Sequence, residues 1–425
     1  MDALLVLTNV AIILLLGILC SLLSKRLKLS NMLVLVILGL VLGRIVYNGQ
    51  PLFVFEPSFL IGIGVLALVM IVFDGSSRFR FKEVNDLSVS ALRIIWFFML
   101  FSILVITSFT NLLFFDSINV QNILFSIIFA IVVVGTDPGS VFAMIKDFVG
   151  ERAKKVMGLL QIEAIINTPL IVLIPYLILD LIKNIELGTG DFLSSFISQI
   201  PAFLAQIIVG VGAGVLIGLI VFKTMQKVYS HQFSPVAVIT AALLAYILAE
   251  NLKGNGVLAV ATLGLLFGNL YVKEKTQLQE FSYMLSNALE ILVFVLVGLM
   301  IQIPLTLDFF LKSLFLFGLL VLCRAAAVFV AVHKSDFSFK EKLFMSLNMP
   351  KGIAVAVVAF TLALYQTVQM GIILDLIVVF LLYSLILAAV VNLFSKKFIQ
   401  VDVKNMKEDN IPHAKLKCPD PKKIP

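Results

Sequence analysis

Charged residues are scarce in this chain: 13% of its 425 residues are Asp, Glu, Lys or Arg, against 61% hydrophobic. A soluble protein of this length needs far more polar surface, so that class is excluded. Cysteine is scarce too. Of the three present, Cys20 and Cys323 fall in apolar runs and Cys418 in a polar tail, which leaves neither a disulfide framework nor metal-ligand spacing. The three histidines, His231, His333 and His413, all map to polar connections. No nucleophile stands at a useful spacing from a base, so neither an enzyme nor a cofactor is expected. The first apolar run lacks the basic leader and cleavage site of a secretory signal, carrying Asp2 instead, and reads as a membrane span.

What the chain has in abundance is long apolar runs. Mean hydropathy is +1.10, and many runs reach the ~18 residues that suggest a spanning helix. The expectation is an all-α polytopic membrane protein of about thirteen transmembrane helices. They are placed near residues 3–23, 32–47, 59–73, 88–114, 120–148, 156–182, 196–222, 235–248, 257–270, 285–301, 309–332, 343–364 and 371–394. Lysine and arginine crowd the loops of one side, as at Lys25, Arg26, Arg78, Arg80, Arg152, Lys154, Lys223, Lys273, Lys334 and Lys340. The other side holds little beyond Arg44, Lys183, Lys253 and Lys312. Because inner loops carry the excess, the N-terminus is expected outside a plasma membrane and the C-terminus in the cytoplasm. The net charge of +7 is thereby explained by topology, and no nucleic-acid partner is implied. The tail 396–425 is polar and too poor in apolar residues to form a core. The other substantial connections are Lys183 to Asp191 and Lys273 to Ser282.

Two spans are interrupted by Pro and Gly beside a charge: Thr136-Asp137-Pro138-Gly139 in one and Met349-Pro350-Lys351-Gly352 in the other. Non-helical backbone is tolerated inside a bilayer only where protein or a wet cavity satisfies it, so such breaks mark ion or substrate sites. The opposite charges suit opposite helix ends: a carboxylate offsets N-terminal dipoles and an ammonium C-terminal ones. The two spans cross in opposite senses, as the halves of an inverted repeat over about 88–182 and 309–394 do. Asp137, Glu163, Asn167, Arg324 and Lys351 all fall toward the midplane. Asp74, Arg93 and Glu290 fall nearer the inner interface, where snorkelling accounts for Arg93 and Glu290.

These motifs resemble the monovalent cation:proton antiporters, specifically the NhaP-like prokaryotic sodium/proton antiporters. The resemblance is carried by Thr136-Asp137-Pro138, by Glu163-Ala164-Ile165-Ile166-Asn167-Thr168-Pro169, by Leu322-Cys323-Arg324, and by Phe337-Ser338-Phe339-Lys340-Glu341-Lys342 leading into Pro350-Lys351-Gly352. It implies two crossed discontinuous helices and a homodimer working by alternating access on Na+, K+ or Li+ against H+. It also implies a transmembrane antiporter domain over 1–395. Within it, 1–86 and 235–301 serve dimerisation, 88–182 and 309–394 transport, and 196–222 links the two. Glu163 would pair with Lys351. Asp137, Thr136, Asn167 and an acid at the end of the third span, here Asp74, would handle the ion and the proton.

The chain departs from that pattern at two positions: Ala164 stands where the family has a Ser, and after Asn167 the family's cation-binding carboxylate is replaced by Thr168. A hydroxyl can offer a lone pair to an alkali cation but cannot exchange a proton near neutral pH. If Asp137 and Glu163 are balanced by Arg324 and Lys351, Asp74 remains as the one acid for exchange. Rival readings stand beside each role. Asp137 compensates helix dipoles or titrates, Thr168 binds the ion or back-bonds to its own helix, and Asp74 exchanges protons or is neutralised by Arg78 or Arg80. At the level of the whole protein, an antiporter, a cation uniporter or channel, and a transport-inactive sensor relative all fit. For the topology, cysteines placed near Gly188 and Asn255 are expected to react with impermeant thiol reagents from outside, and those near Ser230 and Ser335 only from inside. The opposite pattern would reverse the assigned orientation.

Overall fold

The structure is a computed structural model. It describes residues 3–27, 31–47, 50–53, 55–78, 81–137, 151–186, 192–226, 230–300, 304, 306–365, 367–394 and 398. Among these, fourteen helices follow one another: α1 Ala3–Leu27, α2 Asn31–Leu42, α3 Pro57–Ser77, α4 Phe81–Phe114, α5 Val120–Val132, α6 Glu151–Glu186 and α7 Phe192–Met225. They continue as α8 Phe233–Asn251, α9 Gly256–Asn269, α10 Lys275–Met300, α11 Leu307–Ala331, α12 Phe339–Leu347, α13 Ile353–Leu362 and α14 Val368–Leu393. Nine are long and apolar enough to cross a membrane, and the shorter apolar helices α2, α5, α9 and α13 stand where spans were expected. Helices dominate because a chain in hydrocarbon must close its backbone hydrogen bonds within each segment.

The outward faces are apolar. Leu7, Leu15, Trp96, Ile208, Leu322 and Ile220 are all exposed, a surface suited to lipid. Two neighbourhoods organise the packing. In one, α2 and α3 pack on α10, α3 on α9, and α9 on α7 and α8; in the other, α4 packs on α5, α6 and α11, with α14 against α5, α11 and α13. Without a hydrophobic driving force between helices in lipid, close backbone approach matters more. The tightest case is α2 on α10, where a Cβ on Gly39 would strike the Val295 carbonyl and one on Gly298 the Val36 carbonyl.

Several boundaries differ from expectation. The stretch from Lys273 to Ser282 is not a loop beyond its first two residues, since α10 begins at Lys275. Its buried residues Leu278 and Ser282 pack inward, and Gln279 Nε2 donates to Ser77 O at 2.9 Å. A polar but amphipathic turn therefore extends the span. The second span stops at Leu42, after which β1 (Val46–Tyr47) pairs antiparallel with β2 (Gln50–Pro51). Helix α6 runs on to Glu186, and the rest of that connection lies outside the described residues. The tail 396–425 lies outside them too, apart from Phe398. Asn255 is buried, so exposed Lys253 beside it is the better labelling site in that loop.

At the Lys/Arg-rich end, α12 starts with a capping box. Ser338 N–H donates to Glu341 Oε2 at 2.7 Å and Glu341 N–H to Ser338 Oγ at 3.3 Å. The same carboxylate accepts from Arg152 of α6, Nε at 3.0 Å and Nη2 at 3.2 Å, and Arg152 Nη2 also donates to Asp336 O at 2.7 Å. Burial works against the charged form of Glu341. The hydrogen bonds from Arg152 and Ser338, with the charge of Arg152, prevail and hold its pKa below the ordinary 4.5. A carboxylate whose folded pKa is depressed contributes stability fully above its unfolded value and loses it as pH falls through the folded one. Glu341→Gln is expected to melt below wild type at pH 7, with the gap closing on acidification below 4.5. A gap that does not change with pH in detergent melting curves would contradict the ionised brace.

Candidate ion-binding site

Two helix breaks meet inside the bundle. Helix α5 ends at Val132, and a tight turn, Gly135 N–H to Val132 O at 3.2 Å, leads into the non-helical stretch 135–137. Helices α12 and α13 are parted by the non-helical residues 348–352. Across the gap, Asp137 N–H donates to Pro350 O at 3.0 Å. Lys351 N–H is taken by Ser384 Oγ of α14 at 3.0 Å. Gly352 has no alternative residue here, because a Cβ would fall on the Asp137 carboxylate. Pro138 and Gly139, the rest of the first break motif, lie outside the described residues.

Helix α6 closes the third side. Asn167 Nδ2 donates to Val134 O at 3.0 Å, fastening α6 to the first break. Asn167 Oδ1 and Thr136 Oγ1 are buried with no hydrogen-bond partner. Buried polar atoms are ordinarily satisfied, so orphaned oxygens next to a buried carboxylate suit a hard cation that takes oxygen ligands. Asp137 itself is 3% exposed. Thr168, one residue on, is buried, and its hydroxyl donates to Ala164 O at 2.7 Å. The proton of that hydroxyl is spent within its own helix.

The buried ion pair is not the expected one. Both oxygens of Glu163 are held by Arg324 of α11, Nη1 at 2.5 Å and Nη2 at 2.6 Å, with both side chains fully buried. Lys351 does not pair with Glu163. The planar guanidinium fork matches a carboxylate two bonds at a time, and once both oxygens are filled a point-charge ammonium has no place on them. Lys351 Nζ is instead fully buried without a hydrogen-bond partner, 5.7 Å from the ring centre of Phe98, whose face also receives Arg324 at 5.1 Å. Phe98 thus faces two cations at once.

Asp74 stands apart from this cluster. It lies in the last turn of α3, bridged to Arg78 at 2.9 Å, and Arg78 in turn stacks over Tyr283 at 5.2 Å. That is the neutralised state which rivalled proton exchange in the sequence. The acid the sequence passed over is Glu290. Beginning the span at Leu285 put Glu290 near an interface; beginning it at Lys275, where α10 starts, puts Glu290 well inside. It lies on α10, which packs on α13, the helix that follows the second break. The missed signal was the amphipathic turn that precedes Leu285.

A bundle of apolar helices with two apposed mid-membrane breaks, one bearing a carboxylate and the other an amine, defines a multi-pass membrane protein with an ion-handling centre. The chain belongs to the sodium/hydrogen exchanger family of transmembrane proteins, whose family model matches residues 10–393. It is 24% identical over 388 residues to Na(+)/H(+) antiporter 1 of Methanocaldococcus jannaschii, covering 86% of this chain and 84% of that one. It is 26% identical over 337 residues to the K(+)/H(+) antiporter NhaP2 of Shewanella sp. ANA-3, covering 78% of this chain; it spans about half, 56%, of that longer protein. The fold matches the structure of the sodium proton antiporter MjNhaP1 from M. jannaschii with a TM-score of 0.73 at 21% identity, over 92% of this chain and 99% of that one.

The Glu163–Arg324 geometry makes a stability prediction. Removing one partner leaves an uncompensated buried charge, which costs about 3–5 kcal/mol. Arg324→Met and Glu163→Gln are each expected to lower the melting temperature in detergent sharply, and the double variant to recover part of the loss. Additive losses would show that the two side chains do not act as a pair.

Proposed function

We propose that this protein is a secondary active antiporter that exchanges a monovalent alkali cation, Na+ or K+, for a proton by alternating access. The observation that carries the reading is the meeting of the two breaks at Asp137, beside the orphaned oxygens of Thr136 and Asn167. Family membership and the antiport activities named for its relatives support it. In this reading Glu163, Arg324 and Phe98 form the fixed electrostatic floor of the centre, and Asp137 supplies the negative charge that draws a cation in. Thr136 and Asn167 offer neutral oxygens, and the oxygen of Thr168 is at most an accessory.

The packing supports a division of labour consistent with such a cycle. Helices α4 to α6 and α11 to α14 would carry the site, while α1 to α3 and α8 to α10 would form the scaffold of a homodimer in the plasma membrane, with the N-terminus outside. Thr168 in place of a carboxylate keeps a second reading alive, a uniporter or transport-inactive relative, because the side chain there holds no exchangeable proton.

Proteoliposomes loaded with a pH dye separate these readings. The antiporter releases protons on addition of Na+, K+ or Li+, a uniporter moves the cation without them, and an inactive relative does neither. Asp137→Asn is expected to abolish cation-dependent proton flux at every pH. Wild-type flux in that variant would remove Asp137 from the mechanism.

A further inference from the structure

The charge count of the centre changes once the pairs are known. Glu163 is matched by Arg324, Asp74 by Arg78, and Lys351 stands beside Asp137 across the two breaks. Glu290 is left over. Among the described residues no group forms a hydrogen bond or ion pair with it, and the charge that acts on it is that of Asp137. The helices packed on α10 add nothing nearby. Helices α2 and α13 carry no ionisable residue, α1 has Cys20 and, at its end, Lys25 and Arg26, α3 has only Asp74, already paired, and α8 has Tyr246 and, in its last turn, Glu250.

Its depth follows from register. Helix α10 runs antiparallel to α3, with Gln279 against Ser77 and Ser286 Oγ donating to Met70 O at 3.0 Å. Continued by one turn, this register sets Glu290 level with the middle of α3, about 12 Å along the axis from Asp74 at ~1.5 Å per residue. Gly64 of α3 abuts Val357 and Phe360 of α13, whose N-terminus begins next to Gly352 and so next to Asp137. Val357 and Phe360 lie five and eight residues beyond Gly352, so Glu290 sits within about two turns of the breaks, on the scaffold side of the site. It is only partly buried, which leaves its carboxylate room to take an ion. An unpaired carboxylate at this depth is costly unless it serves an ion or proton.

We propose that Glu290 is the proton-exchanging and cation-binding carboxylate that stands in for the acid missing at Thr168, acting together with Asp137 from the opposite side of the crevice. The proposal rests on the antiporter reading above. Two facing carboxylates repel unless a proton or a cation lies between them. One state holds a proton on the pair. Arrival of one alkali cation breaks that O–H bond, releases the proton to water and leaves the cation between the oxygens, so each cation entering is balanced by one proton leaving and the site's charge does not change. Because Glu290 lies on α10 and Asp137 on the break, movement of one helix group past the other would open and close the pair, tying ion release to the conformational step.

The test uses the full chain in proteoliposomes with a pH dye, and in detergent with melting temperature read against Na+, K+ or Li+ over a series of pH values, with choline as the control cation. Wild type is expected to release protons on cation addition and to be stabilised by the same cation in a pH-dependent way. Glu290→Gln is expected to lose both while melting normally in choline, and Glu290→Asp to keep exchange with a shifted pH profile. Exchange by Glu290→Gln with the wild-type pH profile would overturn the assignment and leave the antiporter reading intact. Loss in both variants together with a lowered melting temperature in choline would also overturn it, in favour of a structural role. No proton release by wild type with any of the three cations would overturn the antiporter reading and this assignment with it.

Discussion

A backbone that leaves the helix inside hydrocarbon has to be satisfied by protein, and this requirement governs the centre of the molecule. The hydrogen bond from Asp137 N–H to Pro350 O answers it for both breaks at once. Everything close by is shaped to allow it. Gly352 lacks the Cβ that would strike the Asp137 carboxylate, Ser384 takes the next free N–H at Lys351, and Asn167 caps the carbonyl of Val134. Removing the side chain of Ser384 or Asn167 would leave a buried donor or acceptor unmatched, at a cost of about 1–3 kcal/mol each, and a Cβ at Gly352 would clash with the Asp137 carboxylate.

Charge is then distributed around that contact in graded fashion. Glu163 and Arg324 are sealed and bidentate, a geometry that fixes helices α6 and α11 relative to each other and cannot open without a large penalty. Asp137 and Lys351 sit on the breaks themselves, where helix ends supply partial charges of opposite sign. Glu290 belongs to neither set. It lies on a helix packed with α2, α3 and α13, and in the assignment proposed for it would couple the ionic centre to the other neighbourhood of the fold. Asp74 and Arg78 pair at the end of α3, and Arg152 and Glu341 tie α6 to α12.

Much of the architecture was legible in the sequence. The existence and order of the spans, the two breaks, and the residues that gather at the centre follow from hydropathy and from where Pro and Gly stand beside a charge. Those signals are local: whether twenty residues partition into lipid depends on those residues alone. The errors came where locality fails. The stretch from Lys273 to Ser282 is polar enough to pass for a loop, yet its Leu278 and Ser282 are buried and its Gln279 donates to Ser77 O of α3, and that helical turn moves Glu290 from the interface to the interior.

What the sequence determined by itself was therefore the class of protein, the helices and the set of ionisable residues inside them. Which charge meets which was decided only by tertiary structure. Glu163 had two candidate cations, Arg324 and Lys351, at comparable depth, and the choice fell to the one whose side chain could reach across from α11 with a fork that fills both oxygens. Asp74 had an arginine four residues away on its own helix, and Glu290 had none. Pairing in a low-dielectric interior depends on ångström-scale reach between segments far apart in the chain, and no property of either segment alone encodes that distance.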